Sequence, residues 1–375
     1  MTSAHYSISR LFTFLTSLML VTLVACNSGS NSLSNAPQGG KGSQAVIGAG
    51  STFIYPVMTR WIATFRSSHP GVEINYQSIG SGGGIQQLKN GLIDFGASDA
   101  ALDNEQLKGM PSLVQIPESA GPVCVTYNLP ELKEPLKLSG PTLGDIYLGK
   151  IKTWQDAAIK KDNPNVNLPN HPIVVAHRSD GSGTTNIFTT YLARVSPEWA
   201  KVGTGISVRW PTGVGGKGSE GVTGVVKQTP GGIGYVELTY AKENNLPVAS
   251  VRNQAGSWVE PSAAGTTAAI NAFADQLAQD VRTPIVDPPA SAKNAYPISG
   301  LTYLLIPKQP KDASKAQTVK EFVEYIVTQG QDQAESLFYA KLPASLQQRD
   351  QSLLSQVATQ PAAQAELNGQ TGIGR

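Results

Sequence analysis

The sequence predicts an α/β fold, on three observations. From residue 45 onward, short apolar runs typical of buried strands alternate with segments whose apolar residues recur at helical spacing. Several of these strand-like and helix-like segments are joined by turns of Gly, Ser and Thr. The chain has 375 residues, of which 40% are hydrophobic, which is enough for a large core and too many for a disordered chain.

The elements follow in order along the chain. Strands are predicted at residues 45–48, 72–76, 93–95, 113–116, 172–176 and 301–306. Helices are predicted after the first, second, fifth and sixth of these strands, from apolar residues at three- and four-residue spacing. In the first helix these are Phe53, Val57, Met58, Trp61, Ile62 and Phe65, and in the second Ile85, Leu88 and Leu92. In the third they are Ile187, Phe188, Tyr191, Leu192 and Val195, and in the last Val319, Phe322, Val323 and Ile326.

Composition excludes several classes of function. The 29 Lys and Arg nearly balance the 27 Asp and Glu, so the basic footprint of a nucleic-acid-binding protein is missing and no nucleic-acid partner is expected. Two cysteines exclude a disulfide scaffold or a Cys-rich metal cluster, and the four histidines show no metal-ligand spacing. The sequence contains no GxSxG, Walker or CxxC motif, so neither a cofactor, a metal nor a catalytic residue is expected.

The N-terminal residues are predicted to be a targeting segment. Residues 11–25 form an uncharged apolar run, too short for an easy membrane span, so residues 1–25 are interpreted as a signal peptide. The run ends in Leu-Val-Ala before Cys26 and resembles a bacterial lipobox, in which the cysteine is lipidated; cleavage near Cys26 without a lipid is the alternative. The rest of 26–44 is expected to be a flexible tether, and Cys124 a small buried hydrophobe.

Three strand–turn–helix units share a turn of small polar residues. The turns are GAGST at 48–52, GSGGG at 80–84 and DGSGTT at 180–185. Such turns meet outside the carboxyl ends of parallel strands, and the helices that follow offer free N–H groups to an anion. The pattern predicts an anion site, with three ordinary N-caps as the alternative. The Gly-rich segment 213–221 receives little weight, because it follows no clear strand.

Three charged residues sharpen this prediction. Arg178 ends a strand and is placed to bind an oxyanion, with Asp180 two residues later to orient the guanidinium; a surface ion pair is the alternative. Asp99 follows another strand, and a carboxylate beside an anion must accept a hydrogen bond from it. Phosphate carries a proton at neutral pH and sulfate does not, so Asp99 would admit phosphate and reject sulfate. The alternative, that Asp99 caps the next helix, is disfavoured because Asp103 and Gln106 make a better capping box.

Seven segments together resemble the phosphate-binding proteins of bacterial phosphate ABC transporters, the PstS family. They are GAGSTF at 48–53, IGSGG at 79–83, DFGASD at 94–99, LGDIY at 143–147, RSDGSGT at 178–184, VGGKG at 214–218 and GIGYVE at 232–237. The chain departs from the family pattern at Ser51, often Ala, and at Ala101, often Pro; neither is one of the ligand positions.

The resemblance implies a two-lobed periplasmic binding protein of type II, with phosphate in the cleft between the lobes. Lobe one would be 45–120 plus 297–375 and lobe two 121–296, with crossings near Gly121 and Ser299. It implies these phosphate ligands: Thr52, Phe53 through its N–H, Ser81, Asp99, Arg178, Asp180, Ser182, Gly183 and Thr184.

The resemblance also implies a place and partners for the chain. The protein would capture inorganic phosphate in the periplasm or at the outer cell surface and deliver it to the membrane permease of the transporter. It would be a monomer, held at the membrane by a lipid on Cys26, and would not be an enzyme. The alternatives are a protein of the same fold that binds sulfate, molybdate or tungstate, a secreted phosphatase or esterase, and an adhesin.

Overall fold

The computed structural model describes residues 45–359, and the predicted signal peptide, Cys26 and the predicted tether lie outside the described residues. The strands are β1 (Val46–Gly50), β2 (Ile74–Ser78), β3 (Phe95–Ser98), β4 (Leu113–Tyr127), β5 (Lys137–Leu138), β6 (Val174–Arg178), β7 (Val214–Gly216), β8 (Gly232–Glu237), β9 (Ser250–Arg252), β10 (Trp258–Val259) and β11 (Ser299–Pro307). The first helices are α1 (Tyr55–Ser68), α2 (Ser81–Lys89), α3 (Asn104–Leu107), α4 (Gly140–Tyr147), α5 (Ala157–Asp162), α6 (Gly183–Val195) and α7 (Gly218–Gln228). The remaining helices are α8 (Leu238–Glu243), α9 (Ala263–Ala272), α10 (Ala274–Gln279), α11 (Ala313–Val327), α12 (Gln331–Ser336) and α13 (Ala344–Leu354).

An eight-stranded sheet organises the chain, in the order β2-β1-β3-β11-β4-β8-β6-β7. Its two sides are parallel, β1 pairing with β2 and β3, and β6 pairing with β7 and β8. Its middle is antiparallel, because β11 pairs with β3 and β4, and β4 pairs with β8. A small sheet, β10-β9-β5, lies apart. The prediction of an α/β fold is confirmed, with a mixed rather than a purely parallel sheet.

The periodic segments fold as their patterns indicate. Helix α1 buries Val57, Met58, Trp61 and Phe65, four of the apolar residues that predicted it. Helices α6 and α11 likewise bury the apolar faces that predicted them. The prediction that Leu92 extends the second helix is wrong: α2 ends at Lys89, and Leu92 is 65% exposed.

Strand β4 is much longer than the predicted 113–116, since it continues through two prolines to Tyr127. The register with β11 shifts where Thr302 pairs with Ser119 while Tyr303 pairs with Pro117. Glu118 is therefore an extra residue, a β-bulge that accommodates proline within a central strand.

One smaller prediction concerns Cys124. Cys124 is fully buried among apolar residues, as predicted, and burial raises the pKa of its thiol. Within residues 45–359, no helix combines the length and the apolar character that crossing a membrane requires. The two lobe boundaries stay a prediction.

Candidate anion-binding site

The three turns meet, although only the strands before the first two, β1 and β2, are neighbours in the sheet. Four strands separate β1 from β6 in the sheet. The amide of Ile79 donates to the carbonyl of Gly50 at 3.1 Å, which joins the first turn to the second. The amide of Gly82 donates to the carbonyl of Gly181 at 2.9 Å, which joins the second turn to the third. The helix N-termini of α2 and α6 therefore face one another, with the end of β1 beside them.

Asp99 lies between these turns as a buried acceptor. It directly follows β3 and is 4% exposed. Its Oδ1 accepts from the hydroxyls of Ser51 and Thr302, the latter at 3.2 Å, and its Oδ2 accepts from Thr184 Oγ1 at 3.3 Å. Burial raises the pKa of Asp99 to about 6, and the Ser51 hydrogen bond and the charge of Arg178 oppose a larger rise. The Asp99 carboxyl is thus mostly ionised at neutral pH. Asp99 does not cap the next helix, α3, because the capping box there is formed by Asp103 and Gln106, as predicted.

Arg178, which is buried, and Asp180, which is partly buried, form a bidentate ion pair. The guanidinium donates from Nε to Asp180 Oδ1 at 2.8 Å and from Nη2 to Oδ2 at 2.6 Å. The Arg178 side chain is only 2% exposed, so this is not the surface ion pair of the alternative interpretation. Burial alone would raise the pKa of Asp180, but the hydrogen bonds and charge of Arg178 lower it. The carboxylate fixes the guanidinium plane and leaves the N–H groups of Nη1 for another acceptor.

The remaining predicted residues of the second and third turns also lie here. Ser81 Oγ accepts from the amides of Gly183 at 3.1 Å and Asp99 at 3.3 Å. Ser182 Oγ accepts from the amide of Thr185 at 3.1 Å, so this hydroxyl caps α6. Gly183 packs against Asp99, and a Cβ there would lie 2.6 Å from the Asp99 Cβ. Glycine is therefore required where these two backbones touch.

Thr52 and Phe53 are held by partners that the sequence did not indicate. Thr52 Oγ1 lies 2.8 Å from Ser219 Oγ and accepts from the amide of Ser219 at 3.2 Å. The carbonyl of Phe53 accepts from the Tyr339 hydroxyl at 2.6 Å, and its ring is fully buried. Within residues 45–359 the amide of Phe53 has no hydrogen-bond partner.

Ser219 comes from a fourth strand–turn–helix unit, which sequence reasoning underweighted. The Gly-rich segment 213–221 itself contains a short strand, the three-residue β7, and it opens α7 at Gly218. The amide of Gly218 donates to Asp180 Oδ1 at 3.0 Å. The Gly-Ser composition of the turn was the available signal, and the shortness of β7 concealed it. The little weight given to this segment is therefore corrected, because it contains a strand and opens a helix beside the site.

The chain has close relatives of known name. The family model of the PBP superfamily domain matches residues 35–329. The phosphate-binding protein PstS of Xylella fastidiosa (strain Temecula1) is 47% identical over 81% of this chain and 83% of that protein. The PstS of Pasteurella multocida is 43% identical over 83% of this chain and 90% of that protein.

A solved structure has the same fold. PfluDING, a high-affinity periplasmic phosphate-binding protein bound with phosphate, matches 82% of this chain and 93% of its own length, with a TM-score of 0.65 and 23% identity. The expected fold class, an α/β periplasmic binding protein of type II, is confirmed. The relatives are named for binding and not for catalysis. By the extent and identity of these matches, the chain belongs to the PBP superfamily and, within it, to the family of phosphate-binding proteins PstS.

Proposed function

We propose that this chain captures inorganic phosphate at the meeting point of the turns and delivers it to the membrane permease of an ABC transporter. The observation that carries the proposal is one buried acceptor, Asp99, among many donors: the hydroxyls and amides of three turns and the guanidinium of Arg178. Relatives at 40–47% identity are named phosphate-binding proteins.

The acceptor decides which oxyanion fits. A fully deprotonated anion such as sulfate offers no hydrogen to Asp99 and would leave two negative groups in unfavourable contact within a buried site. Phosphate offers at least one O–H at neutral pH and can donate to the carboxylate. Sites built to pair a substrate hydroxyl reject analogues without it by about 10⁴-fold or more. This argument favours phosphate over sulfate, molybdate and tungstate.

The site would open and close between two lobes, 45–120 plus 297–375 and 121–296. Supporting this division, the proposed crossings pair with each other in the sheet, Gly121 with Gly300 and Pro122 with Ser299. The contacts Thr52–Ser219 and Thr184–Asp99 then run from one lobe to the other. Phosphate binding both faces of the cleft would favour the closed form, which presents both lobes to the permease.

The place of the protein is part of the same proposal. A signal peptide at 1–25 would export the chain, and a lipid on Cys26 would hold it at a membrane, in the periplasm or at the outer cell surface. The tether would let a monomer reach the permease. The proposal assigns no catalytic step to this protein.

Titration calorimetry on the chain from residue 27, freed of bound anion, tests the proposal with phosphate and sulfate at neutral pH. We expect tight one-to-one binding of phosphate and no heat from sulfate. Arg178→Ala should weaken phosphate binding at least about 30-fold, because a buried charge-assisted contact worth roughly 2 kcal/mol is lost. Asp99→Ala should weaken phosphate binding and narrow the gap to sulfate. Asp103→Ala, which removes a cap outside the site, serves as the matched control.

Three results would count against the proposal. If sulfate binds as tightly as phosphate, Asp99 does not select the anion by accepting a hydrogen bond from it, although the fold assignment is unaffected. Unchanged phosphate affinity in the Arg178 variant would remove that residue from the site. If neither anion binds, the proposed function is wrong and the phosphatase and adhesin alternatives are favoured.

A further inference from the structure

The β-bulge in β4 turns a second carboxyl group towards the site. Glu118 is the bulged residue, and its side chain is fully buried. Its Oε1 lies 3.1 Å from Thr302 Oγ1, and the same hydroxyl lies 3.2 Å from Asp99 Oδ1. Bulges commonly re-aim a side chain beside a functional site. Thr302 thus bridges two buried carboxyl groups.

The number of hydrogens in this bridge restricts its protonation. A threonine hydroxyl has one hydrogen and can donate it to only one acceptor at a time. With both carboxyls ionised, one of the two contacts would lack a hydrogen and two negative charges would be buried together. With a proton on Glu118, the acid donates to Thr302 and Thr302 donates to Asp99. Both contacts are therefore satisfied only if at least one of the two carboxyls carries a proton.

The surroundings decide which carboxyl keeps the charge. Asp99 accepts from two further hydroxyls, those of Ser51 and Thr184, and the positive charge of Arg178 faces it. Within residues 45–359, the Glu118 carboxyl has Thr302 as its only hydrogen-bond partner, since its Oε2 has none. The negative charge therefore resides on Asp99 and the proton on Glu118.

The other groups near Glu118 agree with this assignment. The titratable side chains that act on it or its partner from the packed elements are Asp99, Tyr76 of β2 and Arg178 of β6. Burial raises the pKa of Tyr76, so its hydroxyl is neutral and donates to the Ser51 carbonyl at 2.9 Å. Burial, and to a smaller extent the charge of Asp99, raises the pKa of Glu118 to about 8, although a hydrogen bond that Thr302 could donate to the ionised carboxylate opposes the rise.

We propose that Glu118 is a positioning residue for anion recognition, which in its protonated form orders the hydroxyl of Thr302 towards Asp99 and keeps the pair at a single negative charge. The proposal rests on the proposed phosphate binding. When Glu118 ionises, Thr302 loses its defined direction and a second charge repels the incoming anion. Phosphate affinity then falls in alkaline solution through this chain's own titration, in addition to that of phosphate.

The first experiment compares the wild type with Glu118→Gln by calorimetry with phosphate from pH 6 to pH 10. The ratio of the two affinities cancels the titration of phosphate itself. We expect the phosphate affinity of the wild type, divided by that of Glu118→Gln, to be constant below pH 7. Above pH 8 it should fall by up to about tenfold per pH unit, because phosphate binding then requires the wild type to take up one proton. Asp350→Asn, which removes a buried carboxyl outside the site, is the matched control and should show no such trend. A ratio that does not change with pH overturns the proposal.

The second experiment does not depend on phosphate binding. Infrared difference spectra of ligand-free wild type minus Glu118→Gln at pH 7 should show the carbonyl stretch of a protonated carboxylic acid; its absence overturns the proposal. If the wild type binds no phosphate, the proposed function fails while this spectrum still decides the protonation of Glu118. If Glu118→Gln does not fold, two variants of Thr302 replace it in the test. Thr302→Val should weaken phosphate binding about tenfold, and Thr302→Ser, which keeps the hydroxyl, should bind phosphate as tightly as the wild type. Equal affinities in those two variants would also overturn the proposal.

Discussion

Asp350 offers a direct test of the electrostatics of the core. The residue lies on α13, is fully buried, and within residues 45–359 neither of its carboxyl oxygens has a hydrogen-bond partner. Burial raises the pKa of this carboxyl from 3.8 to about 8, although Arg349 opposes the rise. Between these two values the folded protein holds a proton that the unfolded chain has released.

The sign and size of the effect follow from that difference. The contribution of Asp350 to stability is fully present below about pH 4 and is lost as the pH rises through about 8. Each pH unit in this window lowers the free energy of unfolding by about 1.36 kcal/mol, or about 4 kcal/mol between pH 5 and pH 8. Asp350→Asn does not titrate and escapes this loss. We expect the stability of the variant relative to wild type to improve by about 4 kcal/mol over the same interval.

Urea unfolding followed by tryptophan fluorescence measures this, since Trp61, Trp154 and Trp199 are fully buried. Both proteins are unfolded at pH 5, 6, 7 and 8, and the difference in free energy of unfolding is plotted against pH. Asp275→Asn, at an exposed position of α10, is the control and should change stability by only a few tenths of a kcal/mol. A difference that is the same at every pH would refute the reasoning, whatever its absolute size.

Two further predictions concern closure and anchoring. Gly183→Ala should weaken phosphate binding at least about tenfold, because the added Cβ would lie 2.6 Å from the Asp99 Cβ. Calorimetry measures the loss of affinity. If the phosphate-free variant loses as much free energy of unfolding as it loses in binding free energy, the contact stabilises the fold instead. Cys26→Ser should abolish membrane retention in cell fractionation, and a variant that still sediments with membranes would contradict the lipid anchor.

The sequence predicted what local patterns determine. Helix α1 is fixed by its apolar spacing, and Ser182 stands at the start of α6 because small polar residues cap helices. Arg178 and Asp180 are two residues apart, so their pairing needs little knowledge of the fold. The local chemistry of the candidate site was therefore visible in the printed sequence.

Contacts between distant segments could not be predicted in the same way. Ser219 meets Thr52 across 167 residues, and Thr302 meets Asp99 across 203. Thr302 stands in an apolar strand, where it reads as a core residue. Glu118 lies just beyond the predicted strand 113–116, and only the register between β4 and β11 turns its carboxyl inward. Register between antiparallel strands is a tertiary property that no single segment encodes.

The pairing of Arg178 with Asp180 has a consequence for the kinetics of capture. The cation is cancelled by its own carboxylate, and Asp99 adds one more negative charge, so the ionised groups of the site sum to −1. An approaching anion therefore meets a weak net repulsion at long range, and the attraction comes from N–H and O–H dipoles that act only at contact. Raising the ionic strength should then slightly speed association rather than slow it, because dissolved salt screens this repulsion over about 10 Å and leaves short hydrogen bonds intact.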